Sequence, residues 1–234
     1  MYKNYKRKAT KKMPKKVYVE KASKLMSRDF EPRTENQKNY IITMAENDIT
    51  ICNGVYGSGK TYLSVGLACQ YLISNKVDKL IFTRPIVGCG KGLGFLKGSL
   101  DDKIMPYFFP VLDCLDYFLG KEVVRGYIMS KDIEFIPLEL MRGMSMKNTF
   151  LILDESNNAN IDQLKMLLTR LDYGSKFVLN GDYRQTDLKY CYFKDVIEKL
   201  RLKNIKGLGI CELTKEDIQR PKIIDSIFCA IEEE

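Results

Sequence analysis

The fold of this 234-residue chain is decided by one stretch, Gly54-Val55-Tyr56-Gly57-Ser58-Gly59-Lys60-Thr61. It fits the pattern G-x-x-x-x-G-K-[ST]. The run Ile49 to Asn53 before it is typical of a buried strand, and the residues from Tyr62 to Ile73 after it have helical spacing. Glycines allow a tight turn in which successive backbone N–H groups and the helix N-terminus face phosphate oxygens. The stretch therefore predicts a phosphate-binding loop between a strand and a helix.

This phosphate-binding loop (the P-loop, residues 54–61) carries two side chains with separate tasks. Lys60 supplies a point charge for the β and γ phosphates of a nucleotide, and Thr61 supplies a hydroxyl to Mg²⁺. We expect the nucleotide to contact the loop and the residue after it, that is Gly54, Val55, Tyr56, Gly57, Ser58, Gly59, Lys60, Thr61 and Tyr62. A flexible glycine turn without a ligand is the alternative, and the strand-loop-helix context argues against it.

A second motif follows an apolar run at residues 150–153, where Asp154 and Glu155 are adjacent. It has the form of a Walker B motif and delivers two carboxylates to the C-terminal end of a strand, where open α/β sheets bind ligands. We expect Asp154 to hold Mg²⁺ through its water shell and Glu155 to orient and deprotonate the attacking water. The alternative is that both carboxylates cap the following helix.

A third motif follows the predicted strand at residues 176–180. Its Gly181-Asp182 pair is typical of a turn, and turn formation alone would explain that pair. Gln185, however, places an amide just beyond the strand end, where it could sense the γ-phosphate. We therefore count Gln185 with Lys60 and Glu155 as a candidate catalytic residue.

Short apolar strands alternate with amphipathic helices along the rest of the chain. Thr34 could cap a first helix, because apolar residues recur at helical spacing from Tyr40 onward. Further strands are predicted at residues 79–83, 133–136, 149–153 and 209–213, and further helices at 104–119, 161–171, 196–201 and 223–231. This alternation predicts an α/β fold with a mostly parallel sheet flanked by helices on both faces.

Composition excludes several classes of chemistry. The chain has no histidine, so Ser-His-Asp and Cys-His catalysis and imidazole metal sites are excluded. Its seven cysteines are scattered without a C-x-x-C pair, which argues against a disulfide framework or a zinc ribbon. Residues 1–28 hold eleven Lys or Arg against Glu20, whereas the rest of the chain is nearly neutral. We expect a flexible basic arm at 1–28, a globular domain at 29–234, a cytoplasmic location and no membrane partner.

The body of the chain, from about Phe30 onward, resembles the PhoH family of P-loop ATPases, itself similar to the first RecA-like domain of superfamily-one helicases. Beyond the P-loop, the resemblance rests on the segments EPRTENQKNYI, TRPIVGCGKGLGFLKG, PYFFPVLD, PLELMRG, LDESNN, LTRLDYGSKFVLNGDYRQTDL and EDIQRPKII. It implies a RecA-like P-loop NTPase that hydrolyses ATP with Mg²⁺. The chain departs from the family's usual Asp-Glu-Ala-Gln-Asn at Ser156 and Asn157, where the amide is one methylene shorter.

The resemblance also implies roles for matching residues. Gln37 corresponds to a glutamine that reads the adenine edge, and Arg84 to a position that contacts nucleic acid or couples it to the nucleotide. Arg142 and Gly143 match a pair near a subunit contact. Arg220 matches an arginine that acts as a finger or sensor; because it lies far from the P-loop in sequence, we consider supply from a neighbouring subunit.

The function these features favour is an ATPase coupled to single-stranded nucleic acid, with RNA preferred. A single RecA-like core closes half of an ATP site, so we expect a homo-oligomer, for which a hexameric ring is one arrangement. Two alternatives stay open: an ATP-dependent conformational switch or binding module with slow turnover, and a small-molecule kinase, against which Glu155 and Gln185 argue. Helical spacing favours core packing over base stacking for Tyr107, Phe108, Phe109, Tyr117 and Phe118.

Overall fold

The computed structural model describes residues 31–86 and 100–232. In these ranges the helices are α1 (Glu35–Glu46), α2 (Lys60–Ile73), α3 (Leu100–Leu119), α4 (Lys121–Ser130), α5 (Ile161–Leu168), α6 (Tyr192–Arg201) and α7 (Lys222–Glu232). The strands are β1 (Ile49–Gly54), β2 (Lys79–Thr83), β3 (Ile133–Phe135), β4 (Thr149–Leu153), β5 (Lys176–Gly181) and β6 (Leu208–Leu213). The basic arm and most of the TRPIVGCGKGLGFLKG segment lie outside the described residues.

The strands form one parallel sheet in the order β3-β2-β4-β5-β1-β6. Strand β5 lies between β1, which leads into the P-loop, and β4, which leads into Asp154. Cys52 of β1 pairs with Asn180 of β5, and Leu153 of β4 pairs with Leu179. The sheet therefore brings the three predicted motifs to neighbouring positions on its carboxyl edge.

Helices cover both faces of this sheet, as predicted. Strand residues alternate between the faces: Phe150 and Ile152 pack with α1 to α4, whereas Leu151 and Leu153 pack with α5 and α6. A strand buried on both faces reads as a continuous apolar run, which is the pattern that β4 has in the sequence. The predicted α/β class with a parallel sheet is confirmed.

Helix α4 was not predicted from the sequence. It begins after Gly120, and its Val123, Val124 and Gly126 have low helix propensity. These residues and Tyr127 are nonetheless buried, so packing against the body stabilises the helix where local preference does not. Tertiary contact has overridden propensity here.

The other differences are shifts of element ends. Helix α5 stops at Leu168 instead of Leu171, because Leu171 forms a parallel bridge with Met146. Helix α6 begins four residues earlier than predicted, at Tyr192. Thr34 caps α1 as expected, since its hydroxyl accepts a hydrogen bond from the N–H of Gln37. No helix within the described ranges has the length and apolar character to cross a bilayer.

Candidate active site

The P-loop is built on backbone conformations that glycine adopts most readily. Gly57 and Gly59 have φ values of 66° and 88°, in the left-handed region, and Gly59 directly precedes α2. The Ser58 hydroxyl donates to the Val55 carbonyl at 2.7 Å and closes the turn. The Lys60 ammonium group donates to the carbonyls of Gly54 and Val55, the latter at 2.9 Å. Lys60 therefore lies folded into the loop, next to where the phosphates of a nucleotide would enter.

Thr61 and Asp154 meet at the sheet edge. The Thr61 hydroxyl donates to Asp154 Oδ1 at 3.0 Å, although the two residues lie on separate elements and 93 positions apart. A hydroxyl and a carboxylate fit Mg²⁺, which binds few protein oxygens and completes its shell with phosphates and water. Among the described residues, no group of three or more acidic or thiol side chains is placed to form an all-protein metal site. The pair is thus suited to a metal that arrives with a nucleotide.

The electrostatics of Asp154 also favour a cation at this position. Burial and the neighbouring Glu155 raise the pKa of the Asp154 carboxyl, while Arg84, Thr61 and Lys60 act to lower it. Because burial and like charge both disfavour the carboxylate, a cation at this position would stabilise its ionised form.

Glu155 adopts a left-handed backbone conformation, with φ 55° and ψ 43°. This conformation is uncommon for a residue other than glycine, and such strained positions cluster at functional sites. It turns the chain sharply after β4 into a short 3₁₀ turn, Ser156–Asn158. Glu155 itself is half-buried at the sheet edge, directly after Asp154.

The 3₁₀ turn is fastened to the segment after β5. Asn157, fully buried, accepts a hydrogen bond from the Asp182 N–H at 3.0 Å and donates through its side-chain amide to the Gln185 carbonyl. Asn158 accepts from the Asp187 N–H at 2.7 Å. The short amide of Asn157 therefore bridges the two strand ends, and the exposed Gln185 lies on the same edge as Glu155.

A buried polar chain joins β5 to the start of α2. The Tyr40 hydroxyl donates to Asn180 Oδ1 at 2.5 Å, the Asn180 amide donates to the Ser64 hydroxyl at 2.9 Å, and Ser64 donates to the Lys60 carbonyl at 2.9 Å. Tyr40, Asn180 and Ser64 have no exposed surface. Buried networks in which each polar group has a partner hold their elements in fixed positions.

Gln37 holds the P-loop from the α1 side. Its amide oxygen accepts from the Arg33 N–H at 2.7 Å, and its amide nitrogen donates to the Ser58 carbonyl at 3.0 Å. Only 3% of its surface is exposed. To read an adenine edge, Gln37 would have to exchange these bonds for bonds to the base, so that role stays a prediction.

Arg220 lies against the P-loop of its own chain. The Gln219 N–H donates to the Gly57 carbonyl at 2.9 Å. A Cβ on Gly57 would lie 2.8 Å from Cγ of Arg220, so the arginine stem packs on the glycine. Arg220 thus reaches the site within one chain, which favours the sensor interpretation over supply from a neighbouring subunit.

Sequence reasoning missed Asp217, which holds this arrangement together. Asp217 has no exposed surface and accepts hydrogen bonds from the Thr34 hydroxyl, the Asn36 amide at 3.1 Å and the Thr214 N–H at 2.6 Å. It joins the start of α1 to the segment that carries Arg220. Its only sequence signal was its place in the EDIQR segment.

The resemblance singles out two other arginines, and the charge of one of them, Arg84, acts to lower the pKa of the Asp154 carboxyl. Arg84 donates to the Tyr107 carbonyl at 2.7 Å and its guanidinium lies 5.8 Å from the Tyr107 ring centroid, while its buried Nε has no hydrogen-bond partner. Arg142 is exposed, and Gly143 has φ 81° with open space where a side chain would lie. Roles in nucleic-acid or subunit contact stay predictions for both.

A cavity of about 880 Å³ opens above the P-loop. Its walls come from Arg33 and Gln37, from the loop and the first turn of α2, from the second half of α3, and from Gln219 and Arg220. Cavities of this size hold ligands as large as a nucleotide.

A family model described as PhoH-like protein matches residues 29–232. The chain belongs to the PhoH-like protein family. A PhoH-like protein of Synechocystis is 40% identical over 202 residues, which are 86% of this chain and 61% of that protein. A PhoH-like protein of Bacillus subtilis is 36% identical over 220 residues, 93% of this chain and 69% of that protein. The chain thus spans about three fifths to two thirds of the length of these PhoH-like relatives.

Solved structures match this PhoH-like chain at the level of fold. The large terminase of a thermophilic bacteriophage aligns with a TM-score of 0.52 at 13% identity, over 87% of this chain and 51% of the terminase. A second structure of that terminase, in complex with ADP, also has a TM-score of 0.52 at 13% identity, over 86% of this chain and 50% of the terminase. The predicted P-loop NTPase fold and the predicted family are both confirmed.

Proposed function

We propose that this PhoH-like chain hydrolyses ATP with Mg²⁺ and couples hydrolysis to single-stranded nucleic acid, with RNA preferred. The observation that carries the proposal is the 3.0 Å contact between the Thr61 hydroxyl and Asp154 Oδ1, with Glu155 as the next residue. That contact joins the two motifs that divide the work of phosphoryl transfer. The ADP bound to the bacteriophage terminase, a protein of the same fold, is consistent with a nucleotide in this cavity.

We propose a separate task for each side chain of the site. Lys60 exchanges the Gly54 and Val55 carbonyls for phosphate oxygens, and the loop N–H groups contact the same phosphates. Thr61 and Asp154 would hold Mg²⁺, which neutralises phosphate charge when bound. Glu155 accepts a proton from the attacking water, and Arg220 offers a cation beside Gly57. Gln185 senses the γ-phosphate, and Gln37 keeps the loop in place.

The hydrogen bonds between the Walker B turn and the segment after β5 offer a way to couple hydrolysis to a partner. Asn157 and Asn158 join the Walker B turn to residues 182–187, so a shift of either segment moves the other. We propose that single-stranded nucleic acid acts through this connection and that the chain works as a homo-oligomer, with a hexameric ring as one arrangement. The free cysteines of the described residues suit a cytoplasmic location.

ATP turnover with and without single-stranded RNA, with Lys60→Ala as the inactive control, tests the proposal. Stimulation by RNA supports the coupled ATPase. Slow turnover that RNA does not change, together with tight ATP binding, favours the conformational switch. Phosphate transfer to a small acceptor in place of water would identify a kinase. Light scattering with and without nucleotide tests the homo-oligomer.

A further inference from the structure

One face of α3 lines the cavity above the P-loop. Pro110, Cys114 and Tyr117 recur at positions i, i+4 and i+7, and all three line the cavity that holds Lys60 and Thr61. Residues at this spacing share one side of a helix. The second half of α3 is therefore a wall of the site, although the P-loop, the Walker B motif and the motif after β5 all lie on other elements.

Of the aromatic residues on this helix, Tyr107 is 38% exposed and Tyr117 is the most exposed, so neither is packed in the core as predicted. Phe108 and Phe118 are 1% and 2% exposed, which confirms core packing for both, whereas Tyr117 is 55% exposed, so core packing is wrong for it. Its ring lies 5.2 Å from the ring of Phe118 in an edge-to-face arrangement and 6.0 Å from the ring of Tyr62. Aromatic neighbours support the ring while more than half of its surface faces solvent.

The position of Tyr117 relative to the P-loop indicates which part of a nucleotide its ring would contact. Tyr62 directly follows Thr61, so the aromatic wall begins one residue after the hydroxyl assigned to the metal and the phosphates. A nucleotide whose phosphates lie on the P-loop extends its base away from them within the same cavity. We propose that Tyr117 provides a stacking surface for the base of that nucleotide, an inference that rests on the proposed nucleotide binding.

The same geometry predicts weak selectivity among bases. Both ends of the Gln37 amide are engaged by Arg33 and Ser58, so the polar group best placed to read a base edge is occupied. Stacking depends on the π-face that every base has, and it discriminates little between purines. Tyr117 therefore adds affinity for ATP and for GTP alike.

Binding of ATP, GTP and inorganic tripolyphosphate to Tyr117→Ala tests the proposal. We expect the Kd for both nucleotides to rise about 10-fold, the scale of one lost base stack, and the Kd for tripolyphosphate to stay unchanged. Tyr117→Phe should bind like the parent chain because it keeps the ring. Tyr173→Ala, which removes an 86% exposed tyrosine from the opposite edge of the sheet, is the matched control.

A second variant reports on the ring directly. The chain contains no tryptophan, so Tyr117→Trp carries a single reporter in the cavity wall. ATP should quench its fluorescence and tripolyphosphate should not. Equal loss of tripolyphosphate and ATP binding in Tyr117→Ala, unchanged ATP binding, or loss of RNA binding alone would each overturn the proposal. If the parent chain binds neither ATP nor tripolyphosphate, the proposed function itself fails.

Discussion

At the scale of single residues, we expect nucleotide binding and hydrolysis to depend on different side chains of the site. Lys60→Ala should abolish nucleotide binding, because its ammonium group is the point charge aimed at the β and γ phosphates. Glu155→Gln should bind ATP but hydrolyse it at least about 100-fold more slowly, the scale of general-base catalysis. Titration with a fluorescent ATP analogue and steady-state phosphate release measure the two properties separately. Normal turnover in Glu155→Gln would remove Glu155 from the mechanism.

The residues that the sequence predicts correctly are those whose local chemistry is specific. Gly57 and Gly59 adopt left-handed backbone conformations, which glycine favours. The apolar run before Asp154 forms a strand that is buried along its whole length, so the sequence locates both the strand and the carboxylate at its end. Asp217 could not be found this way, because its partner Thr34 is 183 positions distant. Tyr117 was misread because helical spacing shows which residues share a face but not whether that face meets the core or a cavity.

At the scale of elements, the start of α1 and the segment after β6 act as one unit through Asp217. In Asp217→Asn, the amide oxygen keeps the hydrogen bonds from Asn36 and Thr214, and the amide nitrogen turns toward Thr34, whose hydroxyl must then accept instead of donate. The substitution also removes the negative charge that strengthens all three bonds. We expect a loss of about 2 kcal/mol in the free energy of unfolding, measured by urea denaturation. Glu216→Gln, an exposed neighbour, is the control and should leave stability unchanged.

The same substitution should also affect turnover through Arg220. If Asp217 positions Arg220 on Gly57, then Asp217→Asn and Arg220→Ala should each lower kcat, and the double variant should be no slower than Arg220→Ala alone. Additive losses would show that Asp217 acts independently of Arg220.

At the scale of the whole molecule, the net positive charge comes from residues 1–28, whereas the rest of the chain is nearly neutral. Residues 1–28 carry eleven basic side chains, and basic segments bind nucleic acid by releasing its counterions. Deletion of residues 1–28 should weaken binding to single-stranded RNA and flatten its dependence on salt, as measured by fluorescence anisotropy at several salt concentrations. An identical salt slope would leave the segment with a solubilising role alone.

The contacts of Asp217 and Gln219 have a consequence for the protein during its synthesis. The P-loop, α2 and the Walker B strand leave the ribosome well before residues 214–220, and domains acquire structure from the N-terminal side first. Until the segment after β6 docks on Thr34 and Gly57, one wall of the cavity is missing and the start of α1 lacks its hydrogen bonds to Asp217. A nascent chain that already displays the P-loop, the Walker B motif and the motif after β5 would therefore hold ATP poorly, and tight binding would begin only when the segment that carries Arg220 docks.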